Sequence, residues 1–176
     1  ADIRPLVLRN EVKHYGSKDL FNGLLEDYRE TTDASYKGDL NSAITSTPDN
    51  SLITELISEF ENADTIKPQD LRGWYRNVLA NNAGQQVAWD WIRNDWDWLE
   101  KTVGGDMEFA TYITVTANVF HTPTRLTEFK QFFEPKIDTP GLTREITMDI
   151  SVIESKVKLI QAEKNAVIQA LESVNR

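Results

Sequence analysis

Residues 74–98 read "WYRNVLANNAGQQVAWDWIRNDWDW" and hold all five tryptophans of the chain. Trp89, Ile92, Trp96 and Leu99 follow the i, i+3, i+7, i+10 spacing of one helical stripe. Trp91 and Trp98 repeat seven residues apart on nearly the opposite side. A surface helix shows one apolar stripe toward a single core, so a helix apolar on two faces needs packed neighbours on both. The stretch therefore predicts an interior helix of a stack, with the tryptophans as core rather than as a ligand cage.

Sliding the sequence by 68 positions lays "ADIRPLVLRNEVKHYGSKDLFNGLLEDY" (1–28) over "QDLRGWYRNVLANNAGQQVAWDWIRNDW" (69–96) without a gap. Gly16 meets Gly84, and Phe21, Leu24 and Tyr28 meet Trp89, Ile92 and Trp96. An offset of 32 brings Leu8, Val12, Phe21, Leu24 and Tyr28 onto Leu40, Ile44, Ile53, Leu56 and Phe60. A fainter copy at an offset of 105 sets Leu126, Phe129 and Phe133 in the same places, with its first helix over about Met107 to Phe120. Each unit reads as helix, tight turn, helix. Units of this period and content predict an all-α, right-handed solenoid of HEAT/ARM-like helical hairpins. The expected repeats cover about 1–31, 33–62, 68–102 and 105–135 of a single domain.

Stacked repeats need a terminal element with a polar outer face. Ile146, Ile150, Ile153, Val157, Ile160, Val167 and Leu171 form one narrow stripe, interrupted at Lys164. They predict a long closing helix over 142–174, preceded by Pro140 and Gly141 and with Thr143 available as its cap. The same regularity suits a coiled-coil dimer, but an unfinished stack favours a cap. "TYITVTANV" (111–119) is the one β-branched run, and its Ala, Met and Phe neighbours assign it to a buried helix.

At 176 residues, with 40% hydrophobic and 27% charged residues, the chain is long enough for a substantial core. The net charge of −9 and the absence of a basic tract disfavour nucleic acid and anionic membrane as partners. Zero cysteines exclude disulfides, thiol catalysis and cysteine-ligated metals, and fit a reducing compartment. No apolar run is long enough to span a membrane. The opening "ADIRPLVLRNEV" has no initiator Met and enters helical periodicity at once, so a fragment of a longer polypeptide is expected.

Catalytic constellations are tested and set aside. Neither His14 nor His121 belongs to an H-E-x-x-H zinc site. Glu11 and His14 make one Glu-x-x-His, but a second copy fails because Asn118 stands three before His121. There is no G-x-S-x-G elbow, and Gly104 and Gly105 lie in no phosphate-binding pattern. Asp95 with Asp97, and Glu59 with Glu61, read as solvated charge. No catalytic or metal-ligating residue is assigned. The remaining chemical feature is the polar side of the helix beginning near Leu71. With Leu71, Trp74, Tyr75, Val78 and Leu79 inward, Arg72 and Arg76 share an outer face. Together with Asn77 and Asn81 they form a polar face, read first as solvated charge with local pairs to Asp70 or Glu residues and second as a face on which the guanidiniums receive carboxylates.

Residues 67–135, "KPQDLRGWYRNVLANNAGQQVAWDWIRNDWDWLEKTVGGDMEFATYITVTANVFHTPTRLTEFKQFFEP", resemble the C-terminal helical domain of the zinc aminopeptidase N family, the gluzincins. The most telling pieces are "AWDWIRNDW" (88–96), which is similar to the family's "AWDFLRENW" type of pattern, and "FHTPTRLTEFKQFF" (120–133). Residues 1–28 resemble the preceding family repeat, so the likeness covers essentially the whole chain and is greatest to members from lactic acid bacteria. The resemblance implies a cytoplasmic parent enzyme that removes N-terminal residues from peptides with one zinc held in a separate domain. It implies that this region is a noncatalytic C-terminal domain that encloses the active-site cavity and limits or orients peptides. Its partners would be the N-terminal and catalytic domains of its own chain and the peptide substrates. Arg72, Arg76, Asn77 and Asn81 are then candidates for a substrate-confining or interdomain face. An independent helical-repeat scaffold that binds a protein partner is the alternative the repeats alone allow.

Overall fold

In a computed structural model of the chain, residues 3–105 and 108–174 are described, and every regular element among them is helical. The order is α1 (Arg4–Tyr15), α2 (Lys18–Glu30), α3 (Ala34–Ile44), α4 (Asn50–Ser58), α5 (Pro68–Ala80), α6 (Gln85–Asn94), α7 (Trp96–Val103), α8 (Thr111–Val119), α9 (Pro123–Phe133) and α10 (Thr143–Val174), with a 3-10 turn at Glu134–Lys136. The helices gather into two compact units, Ala1–Phe109 and Ala110–Arg176.

Local chemistry starts these helices. Ser17, Asp33 and Asp49 stand in extended backbone before α2, α3 and α4, and their side chains accept the orphan amides of Leu20, of Ser35 and Tyr36, and of Ser51 and Leu52. Pro68 and Pro123 open α5 and α9, where a missing N–H costs nothing. Gly16 and Gly84, matched by the sequence repeat, sit in the turns after α1 and α5. A Cβ would meet the Val12 carbonyl oxygen at 2.3 Å and the Val78 carbonyl oxygen at 2.7 Å, so both turns require glycine.

In the first unit, α1 packs on α3 and α3 on α5, while α2 packs on α3, α4 on α6, and α5 on α6 and α7. Residues equivalent in the sequence repeat are buried together: Phe21, Ile53 and Trp89; Leu24, Leu56 and Ile92; Tyr28, Phe60 and Trp96. Polar bonds follow the same period. Arg4 Nε donates to Asp39, Asn77 Nδ2 to Asn41 Oδ1, and Arg29 Nε to Thr65 Oγ1, at sequence separations of 35 or 36. Each bond ties a helix or its adjoining loop to the next copy along.

The tryptophan stretch departs from the single continuous helix expected. The chain breaks at Asp95, whose φ of −112° and ψ of 20° are not helical, so Trp89 and Trp91 lie on α6 and Trp96 and Trp98 on α7. The break lets Trp96 turn onto Phe109, with ring centroids 5.0 Å apart, while Trp91 meets Phe60 edge-on at 5.0 Å. Helix α6 packs on α4, α5 and α7, and Trp91 meets both Phe60 and Tyr75.

In the second unit, α8 and α9 both pack on α10. "TYITVTANV" is a helix, shorter than the expected Met107 to Phe120; Met107 lies outside the described residues. Thr143 does not cap α10 from its N-cap position but is its first residue, and its hydroxyl donates to the Ile137 carbonyl at 2.6 Å. The apolar stripe of α10 is used only in part. Ile146, Ile153 and Val157 are buried, whereas Ile160, Val167 and Leu171 are exposed. Below the stripe, Asp149 is buried and accepts from Thr114 Oγ1 at 2.8 Å. Lys156 Nζ donates to the Ala117 and Asn118 carbonyls at the C-terminal end of α8, satisfying acceptors that have no partner within that helix end.

Candidate functional site

The stacking of α1, α3 and α5 leaves a cleft of about 440 Å³ running across the three helices and the loops that follow α3 and α5. Arg9 and Lys13 of α1 form one wall, one helical turn apart. Ser42 and Ser46 come from α3 and its end, and Asn77 and Asn81 from α5 and its C-terminal cap.

Two asparagines hold this geometry. Asn77 donates to the buried Asn41 at 2.6 Å. Asn81 Nδ2 spans the Thr45 and Thr47 carbonyls at 2.8 and 2.7 Å, and its Oδ1 accepts the Ala83 amide at 3.1 Å. One carboxamide thus satisfies the end of α3 and the turn after α5 together, where the backbone groups would otherwise be orphans. Ser46 Oγ reaches across to the Arg9 carbonyl at 3.2 Å, fixing α1 against the same junction.

The four residues singled out in the sequence separate. Asn77 and Asn81 line the cleft. Arg72 pairs with Glu108 at 2.9 Å. Arg76 is exposed, and its Nε donates to Asn77 Oδ1 at 3.4 Å, so it borders the asparagine without lining the cleft. The cations that do line it, Arg9 and Lys13, were not singled out in the sequence. The signal was present: they stand four apart on α1 as Arg72 and Arg76 do on α5. The pairing of Arg72 with a Glu side chain is what a solvated face predicts; what the sequence lacks is the packing that turns Arg9 and Lys13 into a wall.

The residues present do not fit a zinc centre. His14 and His121 are both exposed, and no three His, Cys, Asp or Glu side chains gather in a metal-holding group among the described residues. No helix among them is long and apolar enough to cross a membrane.

The family model described as ERAP1-like C-terminal domain matches residues 1–155. Among curated proteins, the chain is 65% identical over 171 residues to an Aminopeptidase N of Lactobacillus helveticus, covering 97% of this chain and 20% of that protein. It is 53% identical over 173 residues to an Aminopeptidase N of Lactobacillus delbrueckii subsp. lactis, covering 97% of this chain and 20% of the relative. An Aminopeptidase N of Lactococcus lactis subsp. cremoris strain MG1363 is 39% identical over 174 residues, covering 99% of this chain and 21% of its own length. The chain thus spans about a fifth of the length of the curated relatives it matches.

Proposed function

Because the chain belongs to the ERAP1-like C-terminal domain family, we propose that it is the noncatalytic C-terminal domain of a cytoplasmic zinc-dependent aminopeptidase that removes N-terminal residues from peptides. The observation that carries this reading is similarity over nearly the whole chain to proteins named Aminopeptidase N, each about five times as long. In that enzyme the domain encloses the active-site cavity and limits or orients the peptide, while zinc is held by residues outside this chain. The division into hairpin units near 1–31, 33–62, 68–102 and 105–135 belongs to the same proposal.

We assign Arg72, Arg76, Asn77 and Asn81 to the confining or interdomain face, with the two asparagines shaping it, Arg76 offering an exposed charge and Arg72 held in its pair with Glu108. The experiment replaces Arg72 and Arg76 by Ala in the full-length enzyme. Peptide-length preference is expected to change while turnover of a one-residue chromogenic substrate does not. Equal effects on both substrates overturn the reading. The isolated 176-residue chain is expected to cleave no aminoacyl substrate and to bind no stoichiometric zinc.

A further inference from the structure

We propose that the cleft across α1, α3 and α5 binds a small organic dianion, held by Arg9 and Lys13. This goes beyond the peptidase reading and does not depend on it. The first observation is the distribution of charge within the first unit. Arg4, Lys18, Arg29, Arg72 and Arg93 each meet a carboxylate, on Asp39, Glu55, Glu59, Glu108 and Asp90 respectively. Arg9 and Lys13, like Lys37, Lys67, Arg76 and Lys101, have no such partner among the described residues; what sets these two exposed cations apart is that they share a cleft that no Asp or Glu lines. In a chain with 28 acidic and 19 basic residues, a cleft with two cations and no carboxylate has a local field opposite to the net charge.

The second observation is shape. The two cations are one turn apart on the same wall, where like charges repel unless an anion bridges them. A volume of about 440 Å³ exceeds what a monatomic ion fills and suits a small organic molecule. The Ser42 hydroxyl and the Asn82 carboxamide add neutral donors to the lining. Asn77 and Asn81, fixed by their bonds to Asn41, Thr45 and Thr47, keep the opposing wall in place before any ligand arrives. The guanidinium fork of Arg9 matches two oxygens of one carboxylate or phosphate, and the Lys13 ammonium matches a second negative group as a point charge. Dicarboxylates and phosphate monoesters share this chemistry.

Three asparagine carboxamides in the lining provide the probe. The 176-residue chain is titrated at constant ionic strength with succinate, with inorganic phosphate and with acetate, while the side-chain amide resonances of Asn77, Asn81 and Asn82 are followed by NMR. Saturable shifts centred on these amides are expected with a dianion, at a Kd at least tenfold below that for acetate. Replacing Arg9→Gln and Lys13→Gln together is expected to weaken binding at least tenfold, whereas Lys67→Gln with Lys101→Gln leaves it unchanged. A response to succinate alone identifies a dicarboxylate ligand, and one to phosphate alone a ligand that binds through a phosphate group. Absence of saturation, shifts no stronger than with acetate, or a double variant that binds within twofold of the parent overturns the proposal. Should the double variant lose its helical circular dichroism, Lys13→Gln alone and the location of the shifts in the unaltered chain decide the question.

Discussion

Asn77 Nδ2 donates to Asn41 Oδ1 at 2.6 Å across 36 residues of sequence, joining α5 to the face of α3 on which Asn41 is buried. Removing one partner leaves the other desolvated and unpaired, which costs more than the bond itself contributes. Asn77→Ala is therefore expected to destabilise the chain by about 1–3 kcal/mol in urea denaturation. Replacing both, as Asn41→Leu with Asn77→Leu, is expected to cost less than the single change; the opposite order in the two midpoints contradicts this account.

Trp74 and Trp91 offer a second comparison. Trp74 Nε1 donates to the Tyr28 hydroxyl at 3.1 Å, and that hydroxyl lies 3.4 Å from Asp70. Burial raises the Tyr28 pKa. The Trp91 Nε1 is buried with no hydrogen-bond partner among the described residues. Replacement by Phe removes indole volume at both sites, but only at position 74 does it break a bond of about 1 kcal/mol. Thermal melts should place Trp74→Phe below Trp91→Phe, and equal melting temperatures refute the difference.

The glycines separate in sign. Gly84→Ala puts a methyl group 2.7 Å from both Val78 Cγ1 and the Val78 carbonyl oxygen, so it must displace backbone and is expected to be destabilising. A Cβ added at Gly38, inside α3, would meet nothing within 4 Å. Gly38→Ala is expected to stabilise by about 0.5–1 kcal/mol through helix propensity and the unfolded chain. Denaturation midpoints moving in the same direction for both variants would falsify this contrast.

Two carboxyls have opposite pH signatures. Hydrogen bonding from Thr65 is the leading cause that lowers the Glu59 pKa, with Asn62 and Arg29 adding to it. A lowered folded value stabilises the fold above the unfolded pKa and is lost as pH falls through the folded one. Burial raises the Asp149 pKa, reinforced by Glu145 and opposed by Thr114 and Lys156. A raised folded value favours the protonated form, so the Asp149 contribution is greatest below its unfolded pKa and declines as pH rises through the raised value. Relative to the parent chain, Glu59→Gln should lose stability as pH rises across its window and Asp149→Asn should gain it across its own. Urea midpoints measured from acid to neutral pH check both slopes.

Much of the helical order was legible because apolar spacing and turn chemistry agree. Phe21, Leu24, Leu25 and Tyr28 fall at helical intervals and are all buried, and Gly16 and Gly84 mark two equivalent turns. The break at Asp95 was not legible, since the stripe of Trp89, Ile92, Trp96 and Leu99 runs through it in phase. Periodicity reports which residues turn inward, not whether the backbone between them stays helical. The cleft is half legible: Asn77 and Asn81 share a helix with the inward Trp74 and Val78, but Arg9 and Lys13 join them only through the stacking of α1 on α3 and α3 on α5.

Helix α10 has a thermodynamic end that differs from its geometric one. Buried positions of α10 stop at Val157, after which Leu159, Val167 and Leu171 are 63%, 54% and 60% exposed. Up to that point tertiary packing maintains the helix; beyond it, a segment of about the length at which isolated helices are marginal depends on local propensity alone. The family match ends at residue 155, within one turn of the last buried contact. Protection from amide exchange should therefore fall away after Val157 while the helical geometry continues, so that the final turns of α10 open before its packed part.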